Sequence, residues 1–195
     1  MGTPETRKAP NILITGTPGT GKTTLAEKLA QKLVSGFDFI SCGRLITEHK
    51  LHCGYDGELE TYILDEDRLL DHIERRMDDL RGRCIVEYHG AELFPQRWFD
   101  FVFVLRCNNT VLYDRLAARN YSDKKIRTNI ECEIFEVLLE EARESYDVST
   151  ACVFSSKFQF FFFFFFFNKS SKHILGIGLE RWFEHQKGTL TTIEI

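Results

Sequence analysis

Gly16-Thr17-Pro18-Gly19-Thr20-Gly21-Lys22-Thr23 has the composition and spacing of a loop built around phosphate. Glycines such as Gly19 and Gly21 let successive backbone N–H groups turn toward one point. A helix starting directly afterwards adds the positive end of its dipole. Lys22 supplies a cation for the β- and γ-phosphates, and the Thr23 hydroxyl is an oxygen donor suited to Mg²⁺. The pattern implies a nucleoside triphosphate, held with Mg²⁺.

Two further groups fit phosphoryl chemistry. Glu87 closes the apolar run Cys84-Ile85-Val86. An acid at a strand's carboxyl end can hold Mg²⁺ directly or through water, where ligands of open α/β sheets gather. His89 follows two residues later and shares Glu87's side if the strand continues, where it would orient water or a metal ligand. Farther along, Arg115, Arg119, Lys124, Lys125 and Arg127 surround Asn120-Tyr121-Ser122-Asp123. Guanidinium groups stabilise the charge that spreads over a transferring phosphoryl, and a mobile basic segment can bring them in while excluding water. Arg106 is a further candidate carrier of that charge.

The elements that must hold these groups follow from hydrophobic spacing. Asn11–Thr15 reads as a strand feeding the glycine loop. Leu25, Leu29 and Leu33 give one face to a helix over about 21–33. Phe37–Ile40 reads as a second strand, and 41–63 as a polar insertion with short helical pieces. Leu69, Leu70, Ile73, Met77 and Leu80 predict a helix from about Asp65, ended by Arg81-Gly82. Phe101-Val102-Phe103-Val104-Leu105 is continuously apolar, as parallel strands covered on both faces are. A helix is expected over Thr110–Arg119 with Val111, Leu112 and Leu116 inward, then a polar loop over 120–128. A long helix follows over Asn129–Tyr146, with Ile130, Ile134, Val137, Leu138 and Ala142 as its stripe. Ala151–Phe154 is a candidate fifth strand. Strands alternating with helices predict an α/β fold, a parallel sheet with helices on both faces.

Composition narrows the class. The chain has 195 residues, enough for a single α/β domain with a full core. The 25 Lys and Arg against 29 Asp and Glu leave no general nucleic-acid footprint. Residues 1–10 are polar and lack the apolar core of a secretory leader. Cys42, Cys53, Cys84, Cys107, Cys132 and Cys152 show neither a CxxC pair nor zinc spacing, which favours reduced thiols. The segment 151–195 is atypical because it carries the phenylalanine run Phe160–Phe167, too short for a bilayer span of about 20 residues. Ile174–His185 could form a short closing helix.

Gly16–Thr24, Gly54-Tyr55-Asp56, Ile63-Leu64-Asp65-Glu66-Asp67-Arg68, Tyr88-His89-Gly90, Phe94-Pro95-Gln96-Arg97-Trp98-Phe99 and Asn129-Ile130-Glu131-Cys132-Glu133-Ile134-Phe135 occur in this order. Over about Pro10–Tyr146 the chain resembles the adenylate kinase isoenzyme 6 family. The resemblance implies an adenylate-kinase-like P-loop NTPase fold with a five-stranded parallel core. It implies an AMP-binding insertion at 41–64 and a short lid at 118–128. It implies ATP contacts from Gly19, Gly21, Lys22, Thr23, Thr24 and Arg119, with Thr23 and Glu87 on Mg²⁺ and with Lys22, Arg119 and His89 as catalytic groups. The activities implied are AMP phosphorylation by ATP and ATP hydrolysis. A role in small ribosomal subunit (18S rRNA) maturation is implied as well, with a small-subunit ribosomal protein and the pre-ribosome as partners. Nucleus and cytoplasm are the implied locations, for a monomer without direct membrane association. The alternative is an ATPase switch in ribosome assembly with little AMP kinase activity. The family usually carries Asp at Glu87 and a basic residue at Thr47, and Arg44, one helical turn earlier, is expected to substitute in part for the latter. The tail beyond Tyr146 departs almost entirely from the family pattern.

Overall fold

A computed structural model describes residues 10–33, 36–80, 82–147 and 151–155. The first strand, β1 (Ile12–Thr15), enters the glycine loop, and α1 (Lys22–Lys32) leaves it. After β2 (Asp38–Ser41) come a short helix α2 (Cys42–Glu48) and the strands β3 (His52–Asp56) and β4 (Thr61–Leu64). Helix α3 (Glu66–Leu80) leads to β5 (Cys84–Glu87). A single 3₁₀ turn at Gln96–Trp98 precedes β6 (Phe101–Arg106). Helices α4 (Asn109–Ala117), α5 (Asp123–Ile134) and α6 (Val137–Ser145) follow, and β7 (Ala151–Ser155) ends the described chain. The phenylalanine run and the expected helix over 174–185 lie outside the described residues.

The main sheet has five strands in the order β2-β5-β1-β6-β7, and every pair is parallel. Strand alternation explains the layers. Ile12 and Ile14 pack with Leu25 and Leu29 of α1 and with Leu33 at its C-cap on one face. Leu13, between them, packs with Leu69, Ile73 and Met77 of α3 and with Leu139 and Ala142 of α6 on the other. Helices thus cover both faces of a five-stranded parallel sheet, as the strand–helix alternation predicts. Leu69, Ile73 and Met77 sit at i, i+4 and i+8 and are buried, each contributing roughly 1.5–3 kcal/mol of burial. Glu66 and Asp67 in the first turn of α3 favour its positive end.

Three expectations need correction. The segment 41–63 is more regular than its polarity suggests: α2 is followed by an antiparallel hairpin, β3 with β4. Asp56 builds the turn by accepting the N–H groups of Glu58 at 2.8 Å and Leu59 at 3.0 Å. The basic stretch 120–128 is not all loop, because α5 starts at Asp123, where the Ser122 hydroxyl caps the Lys125 N–H. The long helix expected over 129–146 is two helices, broken at Phe135 and at Glu136, whose φ is 58°. That break resets the helical phase. Ile134 and Val137 are exposed, while Glu133, Leu139, Ala142 and Tyr146 are buried. Among the described residues no helix is long and apolar enough to cross a membrane.

Candidate functional site

The glycine loop sits at the carboxyl end of β1, the central strand, with β5 and β6 on either side. In open α/β sheets ligands bind in this crevice. Gly16 has φ +133°, and a Cβ there would lie 2.4 Å from the Leu105 carbonyl oxygen, so the loop runs against the β6 backbone. Gly19 has φ +95°, and a Cβ there would meet Leu112 of α4 at 2.8 Å.

Lys22 is 7% exposed, although it is charged. Its Nζ donates to the carbonyls of Gly16 at 2.7 Å and Thr17 at 3.1 Å. Burial draws its ammonium down to about 8, with Arg119 adding to that effect and Glu87 and Glu133 opposing it. These couplings bring Lys22, Arg119 and Glu87 within one electrostatic neighbourhood. Thr23 is half-buried and Thr24 exposed in the first turn of α1.

Glu87 closes β5 opposite Ile14 and Ser41 in register, and is 8% exposed. One carboxylate oxygen accepts the Ser41 hydroxyl at 2.9 Å. Thr23 and Glu87 supply hard oxygen donors, and a single carboxylate beside a phosphate loop suits Mg²⁺, which keeps water and phosphate as its other ligands. The residues therefore fit the ion. The strand stops at Glu87, so the expected alternation does not carry through to His89. Instead the Thr15 hydroxyl donates to the His89 carbonyl at 2.8 Å, tying the end of β1 to the turn after β5. His89 is exposed. Crowding by the surrounding protein, and then the Lys22 ammonium, push its imidazole down to about 4. The ring is thus neutral near pH 7, able to accept or donate a hydrogen bond without adding charge.

Arg115 and Arg106 are already engaged. Arg115 Nη1 donates to the carbonyls of Gly19 at 3.2 Å and Thr20 at 3.4 Å, joining α4 to the loop. Arg106 donates from Nε to Glu133 at 2.8 Å and from Nη1 to Glu136 at 2.7 Å. Arg106 therefore braces helices, and it is Arg119, exposed at the end of the α4 segment, whose charge is felt by Lys22. Lys125 donates to the Glu60 carbonyl and lies over the Tyr121 ring at 4.9 Å, so the β3–β4 turn meets the basic segment directly. Arg44 pairs with Glu27 of α1 at 3.3 Å on the surface, and the Thr47 hydroxyl returns to the Gly43 carbonyl.

Glu133 is the group that residue patterns pass over. It is 2% exposed. Its carboxylate takes the Thr17 hydroxyl, Arg106 Nε at 2.8 Å and the Cys107 N–H at 2.8 Å. A signal for it existed: Ile126, Ile130 and Glu133 lie at i, i+4 and i+7, which puts a carboxylate on the apolar face of α5. Ser41 and Thr15, ordinary polar residues at strand ends, carried no such signal.

Comparison with known proteins agrees with this architecture. The AAA domain family matches residues 12–136. The chain is 56% identical over 146 residues to an adenylate kinase isoenzyme 6 homolog of Caenorhabditis elegans, covering 75% of this chain and 79% of that protein. It is 44% identical over 187 residues to the homolog of Drosophila melanogaster, covering 96% of this chain and 99% of that protein. Among solved structures, a shikimate kinase from Acinetobacter baumannii in complex with shikimate superposes with a TM-score of 0.52 at 14% identity. That match covers 93% of this chain and 94% of that one, a likeness of fold alone.

Proposed function

The chain belongs to the adenylate kinase isoenzyme 6 family, a group of P-loop nucleotide kinases and ATPases, and from this premise we propose that it transfers the γ-phosphoryl of ATP to AMP. The bond from the γ-phosphorus to the β-phosphate bridge oxygen breaks, a bond to an AMP phosphate oxygen forms, and two ADP result. The observation that carries the reading is the setting of Lys22. It is a buried ammonium held at the mouth of a glycine loop, in the field of the strand-end carboxylate Glu87.

In this reading the N–H groups of Gly19, Gly21, Lys22, Thr23 and Thr24 cradle the phosphates. Lys22 exchanges its carbonyl partners for phosphate oxygens, and Arg119 reaches over from the lid. Thr23 and Glu87 would hold Mg²⁺, which neutralises phosphate charge when bound. No strong base is required, because positioning and charge stabilisation carry phosphoryl transfer. The 41–64 insertion receives AMP, with Arg44 as its expected phosphate contact, and the 118–128 segment closes as the lid. The contact of Lys125 with the β3–β4 turn supports the pairing of these two parts. The whole chain acts as one kinase domain and as a monomer, in nucleus and cytoplasm, with the small-subunit ribosomal protein and pre-ribosome as partners in 18S rRNA maturation.

A second reading has a specific observation behind it. His89 is exposed at the turn after β5, and the Thr15 hydroxyl ties that turn to the end of β1, a place suited to positioning water, which favours an ATPase switch in ribosome assembly with little AMP kinase activity. ADP formation from Mg-ATP, with and without AMP, separates the two. Strong stimulation by AMP that disappears in Lys22→Ala is the expected result. Slow ADP release indifferent to AMP would replace the kinase reading with the switch. An Arg44→Ala variant with an unchanged KM for AMP would remove Arg44 from the acceptor site.

A further inference from the structure

We propose that Glu133 is a positioning residue of the nucleotide site: its carboxylate braces the glycine-loop arch through the Thr17 hydroxyl and ties that arch to the end of β6. The inference rests on the reading of this loop as the ATP site.

The geometry is a chain of contacts. Glu133 sits on α5, away from the loop in sequence, and is almost fully removed from water. One of its oxygens takes the Thr17 hydroxyl. The other takes Arg106 Nε and the Cys107 N–H, both at 2.8 Å, where β6 ends. On the loop side, the Thr17 carbonyl is itself a node. It accepts the Thr20 hydroxyl at 2.8 Å, the Thr20 N–H at 3.2 Å and Lys22 Nζ at 3.1 Å. Thr17 thus holds Glu133 by its side chain and the phosphate-binding lysine by its backbone. Through Arg106 the same carboxylate connects to Glu136 at the α5–α6 break.

All three groups that face the Glu133 carboxylate from other residues are donors. The site therefore asks for an acceptor on both oxygens, and a carboxylate supplies two acceptors and a negative charge. A buried carboxylate is costly to desolvate, and here one of its oxygens serves the glycine loop while the other is held by the end of β6. A glycine-rich loop has little side-chain packing to fix it. An anchor from outside keeps its N–H groups converged before the ligand arrives, and that preorganisation is what binding and transfer reward.

Substitution tests separate positioning from bulk. Glu133→Gln keeps the volume. Its amide oxygen can still accept from Arg106 and Cys107, while its NH₂ faces the Thr17 hydroxyl and forces that hydroxyl to accept. Thr17→Val removes the hydroxyl, and Thr17→Ser retains it. The assays are ATP affinity and steady-state kinetics of the full chain, at a temperature at which each variant is shown to be folded. Glu133→Gln turns the charge-assisted bond into a neutral one of reversed direction and Thr17→Val removes it; either change predicts a rise of about tenfold in Kd and KM for ATP. The double variant should be no worse than about Thr17→Val alone, because both changes act on the same link. Thr17→Ser should bind ATP as the natural chain does.

Multiplying effects in the double variant, or natural ATP affinity in Glu133→Gln, would overturn the proposal. If Glu133→Gln does not fold, the Thr17 pair decides: Val must weaken ATP binding and Ser restore it, and any other result rejects the link. Failure of the natural chain itself to bind ATP would reject the nucleotide-site reading and this inference with it. ATP binding by the natural chain, with no change in the variants, would reject the inference alone.

Discussion

Replacing Gly16 with Ala makes the sharpest test of how the loop is seated. The strand β1 runs beside β6 with Thr15 opposite Val104, so the next residue passes Leu105 at backbone contact. An added Cβ would stand 2.4 Å from the Leu105 oxygen and 3.1 Å from its nitrogen. Neither atom can rotate away, because both belong to a paired strand. The backbones must separate by about 1 Å, an overpacking cost of roughly 1–3 kcal/mol. The φ of +133° adds a conformational penalty, on the order of 1–3 kcal/mol for a residue with a side chain. The two together give about 2–6 kcal/mol, or a fall in Tm of roughly 5–20 °C for a chain of this size. Gly43→Ala is the control. Gly43 lies in α2, has open space around it and no positive φ. The same methyl group there should raise stability by about 0.5–1 kcal/mol. Thermal and urea melts of the two variants, with ATP affinity measured alongside, give opposite signs if the reasoning holds. A Gly16→Ala chain that melts within about 1 °C of the natural one and binds ATP normally would refute it.

Asn11 is 2% exposed and links the starts of two strands: its Nδ2 donates to the Trp98 carbonyl at 3.0 Å and its Oδ1 accepts the Cys84 N–H at 3.1 Å. Asn11→Ala removes both of these buried hydrogen bonds, so urea denaturation should show a loss of about 1–3 kcal/mol; a loss under about 0.5 kcal/mol would contradict this. His72 is held below the usual histidine range by partial burial, then by His49, Arg76 and Arg75. The folded state therefore binds fewer protons than the unfolded chain as pH falls through the histidine range. The stability His72 contributes is complete above the ordinary histidine value and is lost as pH falls through its folded value. Proton NMR should find His72 titrating below a free histidine, and His49→Gln should move that midpoint upward. An unmoved midpoint would exclude the ring contact, at 4.5 Å between centroids, as a cause.

Local spacing was enough to specify much of this protein. The order of glycines, Lys22 and Thr23 marks a phosphate loop because backbone freedom and charge are needed there at fixed intervals, whatever surrounds them. Continuous apolar runs at β5 and β6 and the i, i+4, i+8 leucines of α1 forecast buried parallel strands with helices over them, since each pattern reflects burial along a single element. Legibility declined where contacts join distant residues. No alternating pattern marks the β3–β4 hairpin, because Tyr55, Tyr62 and Ile63 remain exposed, so solvent and apolar faces do not alternate along it. The helix capped by Ser122 begins Asp123-Lys124-Lys125, a charged stretch with no apolar period to mark it as helix. The break at Glu136 has no local signal, and the burial of Glu133 has only its place on the apolar face of α5. Their side chains are placed by Arg106 at the end of β6, about 30 residues away in the chain, and a carboxylate looks the same in sequence whether it meets water or a buried arginine. The sequence by itself therefore determined that the chain carries a glycine loop of phosphate-binding pattern, and where it lies. Only the tertiary structure decided what holds that loop in place, because the donors that satisfy Glu133 converge from β6 and the loop only when the sheet has formed.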